Sequence, residues 1–269
     1  MLRLPAVAGQ FYPDNPKELS AAVKKYTQER IPQEKVKALA CLVPHAGYVY
    51  SGGVAGAVFS HIQLPKIILL LGVRHYPRGE ALAILSEGAW RTPLGDVPID
   101  TPLALRLKKE CPGLQEDSVA HSREHSLEVE LPFLQVLAPG FSFVPVAVGT
   151  IHFEDLRTTG EGIARVLAES NQEILIVTSS DMNHYEDEQT TRQKDRQVID
   201  RMLALDAEGL YRVCRDEKIS MCGLGPAVTM LTVVNRLGAK KAELLRHATS
   251  GDINGETDAV VGYAGMIFQ

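Results

Sequence analysis

Ile67-Ile68-Leu69-Leu70-Leu71-Gly72-Val73-Arg74-His75 is the stretch that decides the fold. Five consecutive aliphatic residues have no polar face to offer water, so the run reads as a central parallel strand covered on both sides. Two other runs have the same form: Ala40–Val43 leads into Pro44-His45, and Ile174–Val177 leads into Ser179-Ser180-Asp181-Met182-Asn183-His184. In open α/β sheets, parallel strands bring their carboxyl ends to a common edge, and the loops beyond that edge carry ligands or chemistry. The three histidine-bearing loops are therefore expected in one pocket, whatever their separation along the chain.

Outward from these runs, strands and helices alternate. Asn15-Pro16-Lys17-Glu18 combines an N-cap, a proline at the first helical position and a glutamate three residues after the cap, and Leu19, Ala22, Val23 and Tyr26 then repeat at helical spacing. Lys35–Val43 reads as a strand, Gly52-Gly53 opens a small-residue helix through His61, and Leu82–Ser86 is a further strand. Thr101–Glu110 is expected as helix, as is Glu124–Leu137 with an interruption at Pro132. Phe143–Val148 is a strand whose Pro145 suits an edge or a bulge. Phe153–Ser170, Glu186–Leu205 and Gly225–Leu237 read as helices and Val260–Phe268 as a closing strand. The pattern predicts a three-layer α/β/α domain with a mostly parallel or mixed central sheet. No repeat or linker divides residues 1–269, so one domain is expected.

Composition narrows the function classes. The 269 residues are 45% hydrophobic and 23% charged, as in ordinary globular proteins. A formal net charge of -5 lacks the positive field that holds a phosphate backbone, so nucleic acid is not an expected partner. No apolar run approaches the roughly 20 residues that span a bilayer, and the first ten residues do not resemble a secretory signal. A cytoplasmic protein without a membrane partner is the expectation. Cys41, Cys111, Cys214 and Cys222 have no CxxC spacing and are expected as free thiols.

Several residues are candidates for chemistry. His45 and His75 both follow an apolar strand, and neutral imidazoles from adjacent strand ends are common ligands of first-row transition metals. Asp181 suits metal binding, orientation of an imidazole, or helix capping; His184 suits acid/base work or substrate contact. Cys222 precedes a helix start at Gly225-Pro226, where the helix dipole would lower its pKa and favour a thiolate that ligates metal or attacks substrate. His125 and Glu128 are three apart, and a helix would place them on one face as a proton-shuttling pair. His61 and His121 have no motif around them and read as surface or packing residues.

Six segments, taken in order, carry a resemblance: Ala6-Val7-Ala8-Gly9-Gln10-Phe11-Tyr12-Pro13, Pro44-His45-Ala46-Gly47-Tyr48, Glu124-His125-Ser126-Leu127-Glu128, Ser179–His184, Cys222-Gly223 and Thr249-Ser250-Gly251-Asp252. Together they resemble the Memo family, called AmmeMemoRadiSam system protein B in prokaryotes. The resemblance implies a fold similar to class III extradiol dioxygenases, non-haem iron enzymes that hold Fe(II) with two histidines and a glutamate. It also implies a pocket of two histidines and one cysteine, mapping by motif onto His45, His75 and Cys222. A thiolate in place of a carboxylate widens the metal preference from iron to copper or zinc, so ring cleavage does not transfer with the fold.

Two main readings follow. In the first, His45, His75 and Cys222 hold a metal ion for redox or dioxygenase-like chemistry on a small molecule; His125 and His184 move protons, and Asp181 and Glu128 orient them. In the second, the protein is a non-catalytic binder that uses the pocket surface to hold a peptide or protein. For that reading the resemblance implies phosphorylated peptides in animals, and a radical-SAM protein with a second small partner in prokaryotes. A lesser third reading is a thiol hydrolase with Cys222 as nucleophile, His45 or His184 as base, and an oxyanion hole at the neighbouring glycines.

Overall fold

Parallel pairing of the three aliphatic runs builds the centre of the molecule. The computed structural model describes residues 1–28 and 34–269. Among the described residues the order begins β1 (Leu2–Arg3), α1 (Pro16–Gln28), β2 (Ala40–Val43), α2 (Tyr48–His61), β3 (Ile67–Val73), β4 (Leu82–Ile84), β5 (Ala89–Thr92) and β6 (Gly95–Pro98). It continues with α3 (Thr101–Glu110), β7 (Gln115–Glu116), α4 (Ser118–His121), a 3-10 turn (Glu128–Glu130), α5 (Leu131–Leu137), β8 (Ser142–Val148), α6 (Phe153–Ala168) and β9 (Ile174–Ser179). Last come β10 (His184–Glu186), α7 (Glu188–Leu203), α8 (Ala207–Asp216), α9 (Leu224–Arg236), β11 (Ala242–Thr249), α10 (Gly251–Asn254) and β12 (Val260–Phe268).

Strands β2, β9, β3 and β8 lie side by side and parallel, and every residue of β2 and β3 is buried. Beyond β2 the sheet turns antiparallel: β12 pairs with β2, and β11 and β10 pair with β12. On the opposite side β4 runs antiparallel to β8 and carries β7. The result is a mixed sheet, with β1, β5 and β6 forming a small separate one.

Helices cover both faces. A Cβ added at Gly262 of β12 would meet Asp195 of α7, while one at Gly265 would meet Val54 and Val58 of α2. Three residues apart on a strand, these positions point to opposite faces. On the α2 face, α1 and α5 pack around α2; on the other, α9 crosses β2, β9, β3 and β8 and is flanked by α6 and α8. The α1–α2 approach is close because Gly56 has no side chain: a Cβ there would sit 2.5 Å from the Tyr26 carbonyl oxygen.

Three sequence expectations need correction. Pro145 is not at an edge: β8 is flanked by β3 and β4, but the β4 ladder ends at Ile84–Val146, so no strand bond is asked of the missing proline N–H on that side. Residues 124–127 are not helical, because the side chains of Glu124 and Ser126 take the backbone elsewhere. Glu124 Oε1 accepts the Ser126 N–H at 2.9 Å, and the Ser126 hydroxyl bridges Val73 N and O at 3.0 Å each. The helix expected from Glu186 starts at Glu188 behind an Asp187 cap, which frees His184–Glu186 to pair with β12. The β5–β6 hairpin and β11 are visible only in the structure, whereas α8 carries Leu210, Val213 and Cys214 at helical spacing behind an Asp206 cap and is an element the expectations lacked.

His121, without a motif, is a core residue. It is fully buried, set edge-on to Trp90 at 5.6 Å, and neither ring nitrogen makes a well-formed hydrogen bond. Burial holds its pKa down at about 4, helped by the Arg3 charge and only partly offset by the approach of the Ala83 carbonyl. Because the unfolded chain takes up this proton near 6.5, stability is lost as pH falls from 6.5 toward 4. His121→Phe should remove about 3 kcal/mol of that loss, read as the difference between wild-type and variant urea unfolding at pH 7 and pH 4.

Candidate metal centre

The carboxyl ends of β2, β3 and β9 deliver their loops to one cleft of about 550 Å³. Its walls include His45, His75, His125, Asp181, His184 and Cys222, together with Phe11, Tyr185, Ser220 and Tyr263. Each expected site residue except Glu128 reaches it.

Three imidazoles form the centre. Donor atoms of His45, His75 and His125 lie within 4.8 Å of one another. The His75 and His125 rings stack at 4.5 Å and 16°, and His45 stands edge-on to both. His75 is pinned by Glu124, whose carboxylate accepts the His75 N–H at 2.7 Å and bonds Nδ1 at 2.8 Å. Burial would raise the Glu124 pKa, but the His75 ring and two backbone N–H groups outweigh it and hold the pKa down at about 2. A carboxylate there makes His75 Nδ1 the donor.

His45 is held as firmly. Its N–H donates to Asp181 Oδ1 at 2.8 Å, and its Nδ1 lies 2.8 Å from Ser179 Oγ, which donates to Glu130 Oε1 at 2.9 Å. Burial, then the neighbouring His75 charge, lowers the His45 pKa to about 3; burial and the His45 charge lower that of His125 to about 4. Both rings are neutral at pH 7, the state that ligates metals. Three imidazoles, two of them with Nδ1 engaged behind them, are a donor set that fits iron, copper or zinc.

Cys222 lies against His45, its Sγ 3.3 Å from Nε2, but outside the group whose donors all fall within 4.8 Å. It also accepts the Asp181 N–H at 3.3 Å. The expected drop in its thiol pKa is corrected: burial, then the Asp181 carboxyl, pushes it well up, outweighing the bonds from Asp181 N–H, Ser180 and Gly223. Burial also raises the pKa of Asp181, which caps no helix. The oxyanion hole of the hydrolase reading loses a donor, since the Gly223 N–H is bound to Ser180 Oγ at 3.0 Å.

Glu128 is the expected residue that the structure takes elsewhere. With residues 124–127 non-helical, it turns from His125 into the core, where it forms a buried ion pair with Arg3. It also accepts from the Ala6 and Val7 N–H groups at 2.8 and 3.1 Å and from Tyr12 Oη at 2.5 Å. Arg3 lies 4.2 Å over the Trp90 ring and donates to the His121 and Glu124 carbonyls. This lock ties down the amino-terminal segment, whose Phe11 ring rests 4.7 Å from His125. What orients His125 is therefore the Phe11 and His75 rings, with Glu124 Oε1 at 3.7 Å from its Nδ1.

On the far wall the His184 N–H donates to Ser220 Oγ at 2.8 Å, while its Nδ1 is buried without a partner. Tyr185 follows at φ 62°, a left-handed conformation rare for a tyrosine, and is 79% exposed at the cleft mouth. Among residues the sequence reading left out, Glu124 was signalled by its place beside His125. Glu130 was signalled as a carboxylate inside the apolar run Val129-Glu130-Leu131. Phe11, Ser220 and Tyr263 gave no comparable sign.

The fold and cleft define a mixed α/β protein with an imidazole cluster at the carboxyl edge of its parallel strands. The chain belongs to the Memo family: the family model described as Memo-like protein matches residues 3–267. It is 40% identical over 281 residues to a MEMO1 family protein of Methanopyrus kandleri, covering 100% of this chain and 99% of that protein. Against a MEMO1 family protein of Aquifex aeolicus the identity is 41% over 268 residues, covering 99% of each. Among solved structures, it is similar in fold to an uncharacterized protein from Escherichia coli K12. The TM-score is 0.54 at 13% identity, covering 86% of this chain and 100% of the other.

Removing one partner of the Arg3–Glu128 pair leaves a buried charge uncompensated, at a typical cost of about 3–5 kcal/mol. Glu128→Ala should lower unfolding free energy by about that amount in a urea titration, whereas a loss below about 1 kcal/mol would remove the lock from the account.

Proposed function

We propose that this protein is a metal-dependent redox protein that binds a small molecule beside a transition-metal ion held at His45, His75 and His125, with Cys222 as a neighbouring thiol donor. The observation that carries this reading is the convergence of three imidazoles, donor atoms within 4.8 Å, on an open cleft. Iron or copper is the expected ion, with zinc as the redox-inert alternative. When bound, the ion supplies Lewis-acid or electron-transfer chemistry.

The chain's own residues shape the rest. Phe11 and Tyr263 give the small molecule apolar walls, and His184 lines the same cleft as a candidate to bond it or exchange a proton with it. Asp181, between the His45 and Cys222 walls, fixes the spacing of those two donors through its Oδ1 and its N–H. The non-catalytic reading draws on the exposed, left-handed Tyr185 at the cleft mouth, a side chain available to a peptide or protein partner. Among the described residues no helix is long and apolar enough to cross a membrane.

Elemental analysis of anaerobically purified protein should find near-stoichiometric iron or copper. His45→Ala and His75→Ala should abolish it, and His125→Ala and Cys222→Ser, compared side by side, should show which side chain completes the ligand set. A wild-type protein that takes up little metal after anaerobic incubation with Fe(II) or Cu(I) would refute the reading and favour a binding protein.

A further inference from the structure

Two loops meet beside the cleft and enclose a second, smaller pocket of about 250 Å³. One is Tyr76-Pro77-Arg78, which follows His75; the other runs from Val119 at the end of α4 to Arg123, which precedes Glu124. The bonds that join these loops hold the pocket preformed. At one end Glu124 accepts the His75 N–H and bonds its ring. At the other, Arg74 donates to the Gly79 carbonyl and Asp117 accepts the Glu80 N–H. Gly79, at φ 83°, comes so close to α4 that a Cβ there would fall 2.2 Å from Asp117 Oδ2.

The pocket walls carry two guanidiniums, Arg78 and Arg123, and no carboxylate. Among the described residues neither arginine side chain has an ion-pair or hydrogen-bond partner, whereas other exposed arginines such as Arg91, Arg157 and Arg236 are tied to acids. Asp117, beside the Gly79 turn, spends its oxygens on the N–H groups of Glu80, Val119 and Ala120. In a chain of net charge -5, two unpaired cations on one concave surface are a local feature and not part of a general positive field.

The geometry points to a binding site for a dianionic oxyanion, a phosphate group or paired carboxylates on a small molecule, held by Arg78 and Arg123. A guanidinium presents its N–H groups in a planar fork that matches the oxygens of either group, and two of them balance two negative charges. The Ser122 hydroxyl donates to the Val119 carbonyl at 2.8 Å, so recognition rests on the arginines. The site goes beyond the metal reading and needs no ion in the cleft.

The test is an NMR titration of the 15N-labelled full chain, dialysed against a chelator so that no ion in the cleft can hold the anion. Inorganic phosphate and, separately, malonate are added at constant ionic strength. The backbone amides of Tyr76, Arg78 and Arg123 should shift and saturate in the millimolar range, and the tighter of the two anions identifies the group that the ligand carries. Arg78→Gln and Arg123→Gln, both at exposed positions, should each weaken binding by about tenfold, and the double variant should abolish it. Shifts that fail to saturate, that chloride produces equally, or that persist in the double variant overturn the proposal.

Discussion

A carboxyl group taken out of water must find donors or give up its charge, and the segment Glu124–Glu130 buries three of them. Each resolves the constraint differently. Glu124 meets the His75 ring and backbone amides, Glu128 meets Arg3 and the amino-terminal backbone, and Glu130 meets the Ser179 hydroxyl and loses its charge to burial. These three attachments run to β3, to the chain start and to β9. The one short segment thereby fixes the relative positions of the elements that surround the cleft.

The same constraint explains why this segment is irregular. A helix through 124–130 would have placed Glu124 and Glu128 on one face together, near His125, with like charges side by side. Instead the Glu124 and Ser126 side chains capture backbone groups, and the α-helix waits until Leu131, with Pro132 in the first turn of α5. Glu128 can then point into the core and His125 into the cleft. Local hydrogen bonding and the partner of a buried charge, acting together, override the helical spacing of the residues.

Electrostatics and shape agree at the cleft. Desolvation drives His45 and His125 to the neutral form and also keeps the Cys222 thiol and Asp181 carboxyl from ionising easily. For the two imidazoles neutrality leaves a lone pair ready for a cation, whereas the Cys222 thiol and the Asp181 carboxyl would have to lose a proton to ligate one. The same burial weakens the case for a free thiolate nucleophile, since it raises the thiol pKa and the Asp181 carboxyl acts in the same direction.

Much of this was legible in the chain. Continuous aliphatic runs that stop at polar loops suit interior strands, and parallel strands bring their ends to a common edge, so Ala40–Val43, Ile67–Leu71 and Ile174–Val177 point to β2, β3 and β9 and to the meeting of His45, His75 and His184. The α1 start likewise lies in Asn15-Pro16, where the asparagine oxygen does accept the Lys17 N–H at 2.9 Å. The partners of the buried carboxyls were not legible. Glu128 finds Arg3 across 125 residues, and Glu130 finds Ser179 across 49, pairings that no local periodicity records. Spacing along a chain specifies which face a side chain occupies within its own element. What a buried charge meets depends on which distant element the packed core brings against it, and only the tertiary structure decides that.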